Sequence, residues 1–191
     1  MSGLRIEGLE RLSRKLKELP KEATDVVLDA LSAGAEQIRA DAQAKAPVGV
    51  SGGLSRDIIT NQLKDGRQGV SVSVNSAYGG YVEFGTGKKV NKGLIAKYPA
   101  QAQAVKNLPS TGTFKQFVES LSEWVRRKGI TGNARGKQND SDRQIAYGLA
   151  FHIIRNGIKS QPYFFPAWEQ NEKRILNNAK KALSTYIKNR L

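Results

Sequence analysis

Residues 21–47 read KEATDVVLDALSAGAEQIRADAQAKAP, and they set the architecture. Ala23, Val26, Val27, Ala30, Leu31, Gly34, Ile38, Ala42 and Ala46 recur at helical spacing and form one stripe. The pattern predicts a helix from Lys21 to Ala46, about 39 Å long at 1.5 Å per residue. Glu22 and Asp25 favour the positive end of its dipole, and Pro47 marks its stop. Alanine dominates the stripe, so a sheet or a second helix can approach closely.

On the N-terminal side, Leu9, Leu12, Leu16 and Leu19 predict a short amphipathic helix that ends at Pro20. On the C-terminal side, the glycine-dense run Val48–Gly53 reads as a loop. Asp57–Leu63 and Val70–Asn75 then read as strands, joined by Lys64–Gly69. Val70, Val72 and Val74 alternate with Ser71 and Ser73, the period of a half-buried strand. Tyr78–Phe84 reads as a third extended segment, and Lys88–Thr113 has no clean period. Phe114, Phe117, Val118, Leu121, Trp124 and Val125 define a helix face closed by Gly129. After a polar linker over 131–139, Asp140 or Ser141 can cap a helix. Its expected buried face is Ile145, Leu149, Ile153 and Ile154, with Ala146 and Ala150 beside it, and it closes at Gly157. A last helix starts near Pro166, with Trp168, Ile175, Leu176, Ala179, Leu183, Tyr186, Ile187 and Leu191 on one side and Lys/Arg on the other.

Helices, then strands, then helices imply α+β: a small antiparallel sheet packed against a long helix of the N-terminal region and a C-terminal helix. The 191 residues suit a single domain, 1–191, with 88–156 as a partly helical insertion after the third strand.

Net charge is +14. Residues 1–50 carry eight basic and eight acidic groups, so they are neutral. Residues 51–191 hold the other 23 basic and nine acidic groups, and with them the whole excess. Such a surface suits an anionic partner, and double-stranded DNA contacted without sequence preference is the natural one. The basic residues named for that contact are Lys88, Lys89, Lys92, Arg126, Arg127 and Lys128. Mean hydropathy is −0.49, and no run is apolar enough for a bilayer helix, so no membrane partner is expected. No apolar signal core follows Met1, and cysteine is absent, which together suggest synthesis and residence in a reducing cytoplasm.

Chemistry is sparse. His152 is the one histidine, so a transition-metal site would need carboxylates alone, and neither a metal nor a cofactor is expected. Gly85-Thr86-Gly87-Lys88-Lys89 fails the spacing of a phosphate loop and has Lys where Ser/Thr should bind magnesium. A magnesium nuclease built on Glu83 and Asp57 would want more convergent acids. No nucleophile stands beside a base, and no enzymatic activity is expected.

Two segments remain: Tyr81-Val82-Glu83-Phe84-Gly85-Thr86-Gly87 and Gln161-Pro162-Tyr163-Phe164-Phe165-Pro166-Ala167. Both are aromatic, bounded by Gly or Pro, and read as packing and assembly devices. Their contact residues are expected to be Tyr81, Glu83, Phe84, Gly85, Thr86, Pro162, Tyr163, Phe164 and Phe165. In a strand, Glu83 would face opposite to Val82 and Phe84, either solvated or paired with a basic residue of a neighbouring subunit.

These segments join a Gly-Leu-x-x-Leu start, the long helix ending Ala46-Pro47-Val48, and Ser51-Gly52-Gly53-Leu54 with Asp57-Ile58. In that order they resemble the phage morphogenesis family of neck and tail-completion, or head–tail joining, proteins of long-tailed double-stranded-DNA phages. The likeness covers 4–87 and 157–191, and shorter members lack the insertion. It implies a structural virion protein, assembled in the host cytoplasm, that forms a ring, a hexamer, around a DNA channel. Its partners would be copies of itself, the tail tube or tail terminator, and head-connector proteins. The competing possibility is a soluble, sequence-independent DNA-binding accessory protein.

Overall fold

The computed structural model describes residues 20–48, 53–63, 68–76, 78–108, 113–130 and 138–190. The helix expected over Leu9–Leu19, most of the 48–53 loop, and most of the 131–139 linker lie outside them. The chain divides into two compact units: Met1–Pro47, Gly53–Gly79 and Pro162–Leu191 form one, and Val48–Gly52 with Gly80–Gln161 the other.

The first unit is α+β, as expected. Helix α1 (Lys21–Lys45) buries Ala23, Val27, Leu31, Ala35, Ile38 and Ala42, a ridge spaced almost entirely by four residues. A short helix α2 (Gly53–Arg56) leads into β1 (Ile58–Gln62), which pairs antiparallel with β2 (Val70–Val74). The register runs from Ile58 opposite Val74 to Gln62 opposite Val70. Both strands pack on α1, with Ile58, Val72 and Val74 buried.

The C-terminal helix α8 (Phe164–Lys188) lies along α1 in the opposite direction. Gly34 makes this approach possible, because a Cβ there would stand 2.6 Å from Ile175 Cγ1. Farther along the seam, Asn171 Nδ2 donates to Asp41 Oδ2 (2.7 Å) and to the Ala167 carbonyl (2.8 Å). Lys45 Nζ donates to Gln170 Oε1 at 2.8 Å. Pro166 sits in the first turn of α8, where its missing N–H costs nothing.

The second unit is helical among its described residues. It contains α3 (Gly79–Phe84, whose Gly79 falls in the first unit), a 3₁₀ turn (Gly87–Lys89), α4 (Lys92–Lys97), α5 (Pro99–Lys106), α6 (Phe114–Arg127) and α7 (Gln138–Asn156). The third strand expected over Tyr78–Phe84 is therefore a helix. Tyr-Val-x-Phe favours strands, but strand preference expresses packing context. Here the segment closes its backbone on itself, with Gly85 N–H donating to the Tyr81 carbonyl at 2.9 Å. Asn91 caps α4 by accepting from Leu94 N–H (3.0 Å), and Pro99 opens α5.

A reciprocal pair starts α6. The Thr113 hydroxyl accepts from Gln116 N–H, and the Gln116 side chain accepts from Thr113 N–H. The same helix ends as expected at Gly129, with Ile130 N–H reaching the Val125 carbonyl and Gly129 N–H that of Arg126.

The α6/α7 seam departs from expectation. Val118 packs with Ala146 and Ala150, all buried, and Phe117 and Leu121 lie against them. Ile145, Leu149 and Ile153 are half-buried, and Ile154 is 64% exposed. Closely approaching helices select the small alanines for the seam and displace the larger side chains to its flanks.

Candidate assembly site

The first of the two aromatic segments is held by a backbone lock. Phe84 ends α3, and Gly85 turns the chain at φ +75. A side chain at Gly85 would be strained, and its Cβ would lie 2.5 Å from the Lys89 carbonyl oxygen. Beyond the turn, Thr86 and Ile158 bind each other twice. Thr86 N–H donates to the Ile158 carbonyl (2.9 Å), and Ile158 N–H donates to Thr86 Oγ1 (2.8 Å).

Three further bonds close the lock. Gln161 N–H donates to the Val82 carbonyl (2.8 Å), Ser160 Oγ to that of Glu83 (2.6 Å), and Ser160 N–H to that of Lys89 (3.3 Å). Gly157 is indispensable to this arrangement. It ends α7 at φ +80, and a Cβ there would sit 1.9 Å from the Thr86 carbonyl oxygen. The run Gly157–Gln161, which leads into the second aromatic segment, thus grips the first across more than seventy residues of sequence.

The expected contact residues separate by exposure. Tyr81, Thr86 and Pro162 are half-buried. Glu83, Phe84 and Gly85 are buried, Glu83 completely, so the alternation that would have sent it to an outer face is overturned by the helix. A fully buried carboxyl belongs to the interior of its unit, where it must be hydrogen-bonded or paired to be tolerated. Tyr163, Phe164 and Phe165 are also fully buried. Their rings meet edge-to-face, 6.5 Å and 67° for the first pair and 5.8 Å and 81° for the second. Gly79 leaves room for this cluster, since a Cβ there would lie 2.8 Å from the Tyr163 hydroxyl and 2.7 Å from Val74 Cγ1. These rings are core anchors of the first unit, not an exposed aromatic turn.

Lys88, Lys89, Lys92, Arg126, Arg127 and Lys128 are all exposed. The first two lie in the 3₁₀ turn beside the lock, and Lys92 opens α4. The other three end α6, where cations complement the helix dipole, and Arg127 also pairs with Glu123.

One surface feature went unread in the sequence. Phe114, Tyr147, Phe151 and Ile154 are 41%, 37%, 61% and 64% exposed, and Phe114 stacks at 6.0 Å from Tyr147 and 5.5 Å from Phe151. The alanine pair four residues apart was the available signal, because it fixes which side of α7 meets α6.

Among the described residues, no group of three His, Cys, Asp or Glu could hold a metal ion. His152 is exposed, with Asn156 Nδ2 3.3 Å from its Nδ1. Two carboxylates are held below the usual range. The hydrogen bonds from Thr60 and then Arg39 lower Glu36, and those from Asn171 and then Gln37 lower Asp41. Both tie elements of the first unit together.

Residues 10–85 match the family described as "Bacteriophage HK97-gp10, putative tail-component". Over this stretch the chain is similar to a family of phage tail components. The match spans α1, the sheet and α3, and it stops at the turn that the lock grips. No curated protein and no solved structure matches the chain. A phage tail component is a structural part of the virion that works against other virion proteins, which speaks against catalysis. Among the described residues no helix is long and apolar enough to cross a membrane.

Proposed function

We propose that the chain is a ring-forming tail-completion subunit at the junction of the capsid connector and the tail tube. The family match over residues 10–85 carries this reading. The lock supports it, because a turn fixed by five backbone and side-chain bonds presents Tyr81, Thr86, Lys88 and Lys89 in one geometry without further ordering. Preorganised contacts of this kind suit head-to-tail interfaces that close into a ring. Glu83, Phe84, Gly85, Tyr163, Phe164 and Phe165 act beneath the surface by holding the contact-bearing segments in shape.

The test is complementation of head–tail joining. Infection with the encoding phage lacking this gene should yield filled heads and separate tails, and purified protein added to that lysate should restore joined, infectious particles. Joined particles in its absence would contradict the proposal. A second reading, a soluble DNA-binding accessory protein, is favoured only by the basic excess of residues 51–191. It predicts normal particles when the gene is missing.

A further inference from the structure

The C-terminal part of α8 carries basic residues and no acidic one. After Glu172 the helix carries Lys173, Arg174, Lys180, Lys181 and Lys188, Arg190 follows it, and no acidic residue interrupts them. With 3.6 residues per turn, Lys173, Asn177, Lys180, Lys181, Ser184 and Lys188 fall within an arc of about 100°. All six are exposed. The arc points away from Asn171, Ile175 and Ala179, which face the α1 seam, and from Lys173 to Lys188 it runs about 22 Å.

Among the described residues, Lys173, Lys180, Lys181 and Lys188 have no acidic partner within ion-pair distance. Arg126, Arg127 and Lys128 instead sit in one helix terminus whose dipole accounts for them, and Arg127 is paired.

We propose that this face of α8 docks on the sugar–phosphate backbone of double-stranded DNA. Lysines interspersed with an amide and a hydroxyl are the groups that contact phosphate oxygens, and they carry no sequence information. The face has no aromatic residue on which unpaired bases could stack, which disfavours a single strand. The inference rests on the tail-junction reading, in which genome DNA passes the subunit. It also moves the DNA contact from the residues named on sequence grounds to a helix that is rigidly seated.

Fluorescence anisotropy with the full chain and a labelled random duplex of about 30 base pairs, from about 50 to about 300 mM salt, measures it. The wild type should bind with a steep log–log salt dependence. The variant K173Q/K180Q/K181Q/K188Q should lose at least about tenfold in affinity at low salt, and its slope should flatten by about 3 to 4. R126Q/R127Q/K128Q should change the slope by less than about 1. Circular dichroism and light scattering accompany both variants, to show that fold and mass are kept.

An unchanged slope in the α8 variant, or absence of wild-type binding at low salt, overturns the proposal. So does a change of mass in the α8 variant without DNA, which would make the face a contact with the exposed acids Glu22, Asp25 and Asp29 of a second copy. Joining of heads to tails is scored separately. A DNA-binding failure with normal complementation sinks only this inference, whereas joined particles without the protein sink the tail-junction reading.

Discussion

Two helix pairs in this chain are packed by the same device and reach different ends. In the α1/α8 pair, Gly34 and a ridge of alanines let Ile175 and Ala179 sink into the seam, and the large apolar groups are mostly covered. In the α6/α7 pair, Ala146 and Ala150 are buried against Val118, yet Phe151 and Ile154 are left in solvent. Small residues decide how near two helices come, but they do not decide where the large side chains go. The first pair belongs partly to the segment shared with the tail family, and the second lies wholly beyond it.

The sharpest way to break this comparison is at the glycine that ends α7. Gly157→Ala would place a Cβ against the Thr86 carbonyl at a positive φ, combining backbone strain with a clash. A loss of about 4 kcal/mol or more is expected, concentrated in the second unit. Hydrogen exchange should show protection falling across 80–161 before it falls in α1 and α8. A uniform loss would mean that the lock does not stabilise that unit separately.

Gly34→Val tests the other seam. Overpacking against Ile175 should cost about 1–3 kcal/mol in chemical denaturation. Adding Ile175→Ala should recover part of it, and a double variant no better than the sum of the two singles would show that the residues are not coupled.

A smaller effect comes from acid. The Asp41 carboxylate is favoured by the Asn171 amide, so its folded pKa lies below the ordinary 3.8. A group lowered on folding contributes stability above its unfolded value and loses it as pH falls through the folded one. Stability of the α1/α8 pair should therefore decline below about pH 4, and Asp41→Asn should decline less steeply over that range. Asp41 is partly exposed, so screening keeps the difference small.

The smallest change is expected where the comparison is most telling. Phe151→Ser with Ile154→Ser removes side chains already in water and should alter stability by no more than about 0.5 kcal/mol each. A loss above about 2 kcal/mol would show that these side chains are core after all.

Much of the first unit was legible in the sequence because its signals are long. The α1 stripe repeats over seven turns and Pro47 stops it, while Val-Ser-Val-Ser-Val allows one period only. Gly129 and Gly157 marked helix ends because each follows a complete apolar face. Short segments misled: Tyr78–Phe84 fits a strand pattern by composition, and only the closure of Tyr81 onto Gly85 makes its end helical. The side chains expected inside α7 were the largest ones, Ile154 among them, whereas the seam took its alanines. The grip of Gly157–Gln161 on the first aromatic segment could not be read at all, because backbone bonds over that separation leave no mark on residue type.

Light scattering on the purified chain, alone and mixed with tails lacking it, tests the assembly claim most directly. The account predicts a single closed species of several subunits, either in solution or on addition of tails, with the protein retained at the tail end after sedimentation. A chain that remains monomeric in both conditions and is washed from the tails would contradict it.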